Sequence, residues 1–215
     1  MSLLDKINKG REYRKMQMDL TIAGEDAGTY NVRGYATTFN EKYTIYEDNT
    51  IRIDEQVDPH AFDNCDMRDV IFQYDHEGRV FARTSNDTLQ LTPDSHGLQV
   101  NAYLGGTEIG RNLFEEIKGG YTSKMSFGFH VESDEIKEEN TDAKKIIYTR
   151  TIKRVDKLHD VSAVSLPAND GTEISVRSLK DGEIAKLVTE RSQRAQAIEE
   201  LKTKINTILE KEKKQ

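Results

Sequence analysis

"YTSKMSFGFHVES", residues 121–133, decides how the rest of the chain is read. Met125, Phe127, Phe129 and Val131 alternate with Lys124, Ser126, Gly128 and His130, and a period of two is the mark of an extended strand with two unlike faces. One face is wholly apolar. The other sets a hydroxyl beside a residue with no side chain. Glycine weakens a strand and often stands where another backbone comes close. The plain alternative is a half-buried strand with a polar outer face.

Similar short extended runs flank this one: "KMQMDLTIAG", "NVRGYATTFN", "DVIFQYDHEG", "DTLQLTPDSHGLQVNAYL", "KKIIYTRTIKRVDKL" and "DVSAVSLPAN". They carry alternating apolar or β-branched residues between polar turns. Leu89–Leu91 and Leu98–Tyr103, joined through "TPDSHG", read as a hairpin. "ESDEIKEENTD" is so acidic that it reads as a loop. In "GTEIGRNLFEEIKGG" Thr107 can cap a helix, Ile109, Leu113, Phe114 and Ile117 form its apolar stripe, and Gly119-Gly120 end it. A second short helix is expected in "PHAFDNCDMR". The fold class is therefore mainly β with inserted helices (α+β), as an antiparallel β-barrel of about seven strands, closed or partly closed so that its edges are hidden.

The chain divides into an N-terminal segment (1–13), the β-domain (14–178) and a charged tail (179–215). In the tail, Ile184, Leu187, Ile198, Leu201, Ile205 and Ile208 share one heptad register with Arg191 and Arg194 interrupting the seam. Such a helix can pair with its own copy to make a homo-oligomer, dock on the β-domain or bind a partner's helix.

A net charge of −7 over 215 residues, with no basic patch, argues against nucleic acid as a partner. No apolar stretch approaches the ~20 residues that cross a bilayer, so no membrane partner is expected. The start lacks the apolar core of a secretory signal. Together with a single cysteine, Cys65, this points to a cytoplasmic protein. Asp63, Asp66 and Asp69 crowd Cys65 and suppress its thiolate, which makes it structural. The five histidines, His60, His76, His96, His130 and His159, form no i,i+4 pair and join no cysteine cluster; no metal and no other cofactor is implied.

Serine hydrolysis needs a hydroxyl, an imidazole to take its proton, and a group that holds the imidazole's tautomer. Ser126 supplies the first. His76, after the strand "DVIFQY" and before Gly78, supplies a base at a strand end, where alternation sets it on the face of Val70, Phe72 and Tyr74. For the third, His159 and Asp160 are adjacent and point to opposite faces of a strand, so only one of them reaches His76. A carboxylate stabilises the imidazolium, which favours Asp160 and leaves His159 as the alternative third member.

Seven pieces in order, "RGYATTFN", "VDPHAF", "VIFQYDHEGR", "DTLQLTPDSHGLQV", "GRNLFEEIKGG", "SKMSFGF" and "DVSAVSLPAND", resemble the prohead maturation proteases of tailed phages, a family similar in fold to the herpesvirus assembly protease. The resemblance implies a serine endopeptidase with His76, Ser126 and Asp160 as its catalytic residues, and backbone near the oxyanion at Ala168 and Asn169. It implies cleavage of the major capsid protein and the scaffold protein inside the immature capsid, in the host cytoplasm, and self-cleavage near "RSLKDGE". On this reading Ser126 faces outward from a filled barrel and Gly128 leaves room for a substrate peptide. The competing reading is a non-catalytic, scaffold-like assembly factor that acts through its C-terminal helix.

Overall fold

The structure, a computed structural model, describes residues 10–23, 29–139 and 145–165 and scattered positions of the tail between 189 and 204. In chain order its elements are β1 (Arg11–Asp19), β2 (Thr21–Ile22), β3 (Asn31–Thr38), β4 (Tyr43–Glu47), β5 (Ile51–Val57), β6 (Ile71–Tyr74), β7 (Glu77–Arg83), β8 (Leu89–Pro93), β9 (Gly97–Tyr103), α1 (Glu108–Lys118), β10 (Lys124–Glu139) and β11 (Ile146–Val164). A 3-10 turn, Thr84–Asn86, links β7 to β8.

Among the described residues the strands form two sheets and no closed barrel. A four-stranded sheet runs β2-β3-β9-β8, all antiparallel. A seven-stranded sheet runs β1-β10-β11-β5-β4, with β6 also on β11 and β7 on β6. That larger sheet is mixed. β11 is long enough to hold two parallel partners end to end: β5 along Ile146–Ile152 and β6 along Asp160–Ala163. The expected antiparallel barrel fails here because "IIYTRTIKRVDKL" and "DVSAV" are one strand, Ile146–Val164, and β5 and β6 meet it in parallel through a crossover of residues 58–70. Sheet facing sheet buries the apolar faces without closure.

One hydrophobic cluster draws on both sheets and α1, among them Val32, Val100, Phe72, Phe127, Phe129, Val161 and Leu113. Met125, Phe127 and Phe129 have no exposure, as the alternation of residues 121–133 predicts, and the two phenylalanine rings stack 4.5 Å apart. Each such ring contributes about 1.5–3 kcal/mol by leaving water. Thr107 Oγ1 caps α1 by accepting from Gly110 N at 3.1 Å; Leu113, Phe114 and Ile117 are buried; and Gly120, at φ +76, turns the chain out of the helix. The β8–β9 hairpin stands as read, its turn closed by Asp94 Oδ1, which accepts from His96 N and Gly97 N.

Two expectations fail locally. Residues 59–64 make turns and no helix, burying only Ala61 and Phe62. "ESDEIKEE" is not a loop: β10 continues to Glu139, paired with β11 from Asp134↔Ile152 to Glu139↔Ile147. Its acids are matched by cross-strand donors, Asp134 by Arg150 and Glu139 by Thr149 Oγ1 at 2.7 Å. Cross-strand pairs of this kind overcome the low strand propensity of acidic residues. Of the tail's heptad positions Leu201 is helical and exposed, while Ile184, Leu187, Ile198, Ile205 and Ile208 lie outside the described residues.

Candidate active site

β1, β10 and β11 lie side by side, and their registers put Tyr13, Gly128 and Asp160 in one row and Ser126 beside Ser162 in the next. A bulge makes this possible. Gly128 pairs with Asp160 but Phe129 pairs with Leu158, so His159 is the extra residue of β11. Bulges re-aim side chains. Asp160 and Ser162 thereby share the face of Ser126, and His159 turns to His130, with Nε2 2.5 Å from His130 Nδ1.

His76 comes from the other side of β11. β6 runs parallel to the Asp160 end of that strand, and after Tyr74 the chain reverses through Asp75 and His76 into β7. Both turn residues have positive φ, +46 and +61, as a two-residue hairpin of the primed type requires. Asp and His tolerate that region better than branched residues. Asp75 N donates to Ala163 O at 2.9 Å, and Ser165 Oγ donates to Asp75 Oδ2 at 3.1 Å, so the turn is pinned to the end of β11. The position of His76 therefore follows from a turn and not from strand alternation.

The three side chains meet. His76 Nε2 is 2.5 Å from Ser126 Oγ, and His76 Nδ1 is 2.9 Å from both oxygens of Asp160. With the carboxylate on Nδ1, the ring's hydrogen belongs there and Nε2 is left as an acceptor toward the hydroxyl. Asp160 is fully buried and the His76 side chain is 12% exposed. His159 does not reach the site. Burial, reinforced by Arg11 and His130, lowers its pKa to about 4, so it is a neutral neighbour.

Three residues join this group that the sequence did not single out. Ser162 Oγ lies 3.2 Å from His76 Nδ1. The Tyr13 ring packs edge-on against the imidazole at 4.5 Å. Arg11 Nη2 contacts Asp160 Oδ2 at 2.9 Å. Only Ser162 carried a local signal, two residues beyond Asp160 in "DVSAVS". The others lie in an N-terminal strand far away in sequence.

Ser126 does not face outward to solvent. It has no exposure, and its hydroxyl also reaches the carbonyl of Arg14 on β1, at 2.9 Å. One hydroxyl hydrogen thus has two acceptors, Arg14 O and His76 Nε2. Gly128 likewise makes room for something other than a peptide. A β-carbon there would stand 2.6 Å from Asp160 Oδ1 and 2.8 Å from Tyr13 Cε1.

Cys65 is apart from the site. Burial first, then Asp66 and Asp156, push its thiol up to about 12; the neighbouring acids are thus not the Asp63 and Asp69 of the local sequence. Among the described residues no group of three or more His, Cys, Asp or Glu is arranged to hold a metal, and no helix is long and apolar enough to cross a membrane. Ala168 and Asn169 lie outside the described residues.

A hydroxyl, an imidazole and a buried carboxylate in hydrogen-bonded series are the arrangement of serine hydrolases, on a scaffold of two packed sheets. Compared with known protein families, residues 17–186 match the caudovirus prohead serine proteases, and the chain belongs to that family. It is a family of phage capsid-maturation serine peptidases. No curated protein and no solved structure matches the chain.

Proposed function

We propose that the protein is an endopeptidase in which Ser126 attacks the scissile carbonyl, His76 takes its proton as general base, and Asp160 holds the Nδ1–H tautomer and stabilises the imidazolium. The observation that carries this reading is the continuous series Asp160–His76–Ser126, with contacts of 2.9 and 2.5 Å. After attack, the imidazolium returns its proton to the leaving amine, and an acyl ester on Ser126 remains. A water then repeats the sequence with His76 again as base and releases the carboxylic acid. Backbone N–H groups at Ala168 and Asn169 serve as oxyanion donors in this proposal.

The substrates are segments of the major capsid protein and the scaffold protein, cut inside the immature capsid in the host cytoplasm, and the chain also cuts itself near residues 177–183. A likeness of fold to the herpesvirus assembly protease belongs to the same proposal. The scaffold-like alternative is not favoured, because family membership and a hydroxyl–imidazole–carboxylate series both point to catalysis.

The test is mass spectrometry of capsid and scaffold protein co-expressed with the wild type or with Ser126→Ala. Discrete cuts in the first sample and none in the second are expected. The same cuts in both would remove Ser126 from the mechanism.

A further inference from the structure

We propose that Arg11, on β1, is a positioning residue for the reaction, fixing the carboxylate of Asp160 in the plane that orients His76. The inference rests on the peptidase reading above and goes beyond it, since Arg11 lies before residues 17–186, the stretch that the family comparison matches.

Asp160 has no exposure, and a buried carboxylate is costly unless cations and hydrogen bonds compensate it. Among the described residues its ion-pair partners are Arg11 and His76. His76 is a cation only when protonated, whereas Arg11 is a permanent cation in contact with Asp160. Geometry adds to this. Both carboxylate oxygens are equidistant from His76 Nδ1, which by itself leaves the carboxylate free to rock about that contact. Arg11 Nη2, 2.9 Å from Oδ2, removes the freedom by tying down one oxygen.

The guanidinium is itself held for this task. It lies over the Tyr13 ring at 5.0 Å, and that ring packs on the imidazole of His76. Arg11, Tyr13, His76 and Asp160 thus close a loop of contacts, with Gly128 beneath leaving the space. Arg11 Nε is buried with no hydrogen-bond partner among the described residues. A guanidinium that merely tethered β1 would gain from satisfying that group. Here the side chain is aimed so that its hydrogen bond goes to the carboxylate, and the Nε desolvation is left uncompensated.

Two readouts test the proposal: phosphonylation of Ser126 by a small fluorophosphonate, in which the hydroxyl oxygen bonds phosphorus and fluoride leaves, and the far-downfield proton resonance of the imidazole N–H that faces Asp160. For Arg11→Ala, with an unchanged circular dichroism spectrum, phosphonylation is expected to slow by about 10–100-fold through misplacement of the base, mainly in the maximal rate and little in the probe concentration at half-saturation. The downfield resonance should broaden or vanish. Arg11→Lys, which keeps the charge, and free guanidinium added to Arg11→Ala should each restore part of the rate.

A wild-type rate and resonance in folded Arg11→Ala would overturn the proposal. So would a lost rate that neither lysine nor guanidinium recovers while the resonance stays in place, since Arg11 would then act only as a tether. If Arg11→Ala does not fold, Arg11→Lys alone decides: the resonance kept with part of the wild-type rate supports the proposal, and loss of the rate with the resonance still in place overturns it. Probe labelling that persists in Ser126→Ala instead sinks the peptidase reading, and the inference with it.

Discussion

Gly128 stands directly opposite Asp160 in the β10–β11 ladder, and the carboxylate occupies the space that a side chain at 128 would fill. The glycine is thus a steric condition for the site, because a methyl group 2.6 Å from Asp160 Oδ1 forces the carboxylate or the β1 strand to move. Gly128→Ala is expected to leave a folded protein whose acylation by a serine-directed probe is slower by on the order of 10²-fold. Circular dichroism and the labelling rate together check it, and an unaffected rate would mean that the carboxylate's place is not critical.

Asp160→Asn retains shape and removes charge. An amide in that place can donate to Nδ1, which leaves the imidazole's hydrogen on Nε2, the wrong tautomer for accepting the Ser126 proton. The expected fall in turnover is on the order of 10⁴-fold, with little change in thermal stability. Single-turnover kinetics on a capsid-derived peptide would measure it.

A buried ionic cluster anchors β1 to the rest of the sheet: Glu55 accepts from Arg14 Nε at 2.5 Å and from Arg150 Nη1 at 2.8 Å, and Glu12 bonds both arginines. Burial alone would raise the Glu55 pKa, but Arg14 and Arg150 outweigh it and bring it from 4.5 to about 2. A depressed carboxyl adds stability above its unfolded value and loses it as the folded group protonates. Unfolding free energy should therefore decline between pH 4.5 and about 2. Glu55→Gln, which leaves two buried cations short of a partner, should cost about 3–5 kcal/mol at neutral pH and flatten that decline. Denaturant titrations over this range test both.

His159 works in a higher window. Burial first, then Arg11, His130 and Lys157, lower its pKa from 6.5 to about 4, against the opposing pull of Asp160. The unfolded chain therefore takes up a proton that the folded chain refuses, and stability falls as pH drops from 6.5 toward 4. His159→Gln should remove most of that slope. A melting temperature series for the two proteins is the measurement, and equal slopes would exclude His159 as the cause.

Cys65 is expected to resist alkylation, because its thiol, pushed up to about 12, holds almost no thiolate at pH 8. Iodoacetamide labelling followed by mass spectrometry should be much slower for the native chain than for the same chain in denaturant. Equal rates would show the site to be open.

How much of this was legible before folding depends on distance along the chain. Met125, Phe127 and Phe129 announced a buried strand face, and Thr107 with Gly119-Gly120 announced α1, because each signal lies within one element. The acidic half of β10 misled because its partners, Arg150 and Thr149, sit on another strand. At the site, Ser126, His76 and Asp160 could be nominated from residue type and the family resemblance. Tyr13 and Arg11 could not, since nothing local marks them as neighbours of His76, and Ser162 was marked only by its place two residues beyond Asp160.

By itself the order of residues determined which groups are chemically able to act, and which faces of short segments must leave water; both are properties of side chains and of a period of two or 3.6. Only the tertiary structure decided that β5 and β6 share β11 in parallel, that the bulge at His159 turns Asp160 and not its neighbour toward the imidazole, and that an N-terminal strand lies over the hydroxyl. Those outcomes follow from strand register, which is set by the combined burial of both sheets and by long-range backbone pairing. No short stretch of sequence contains that information.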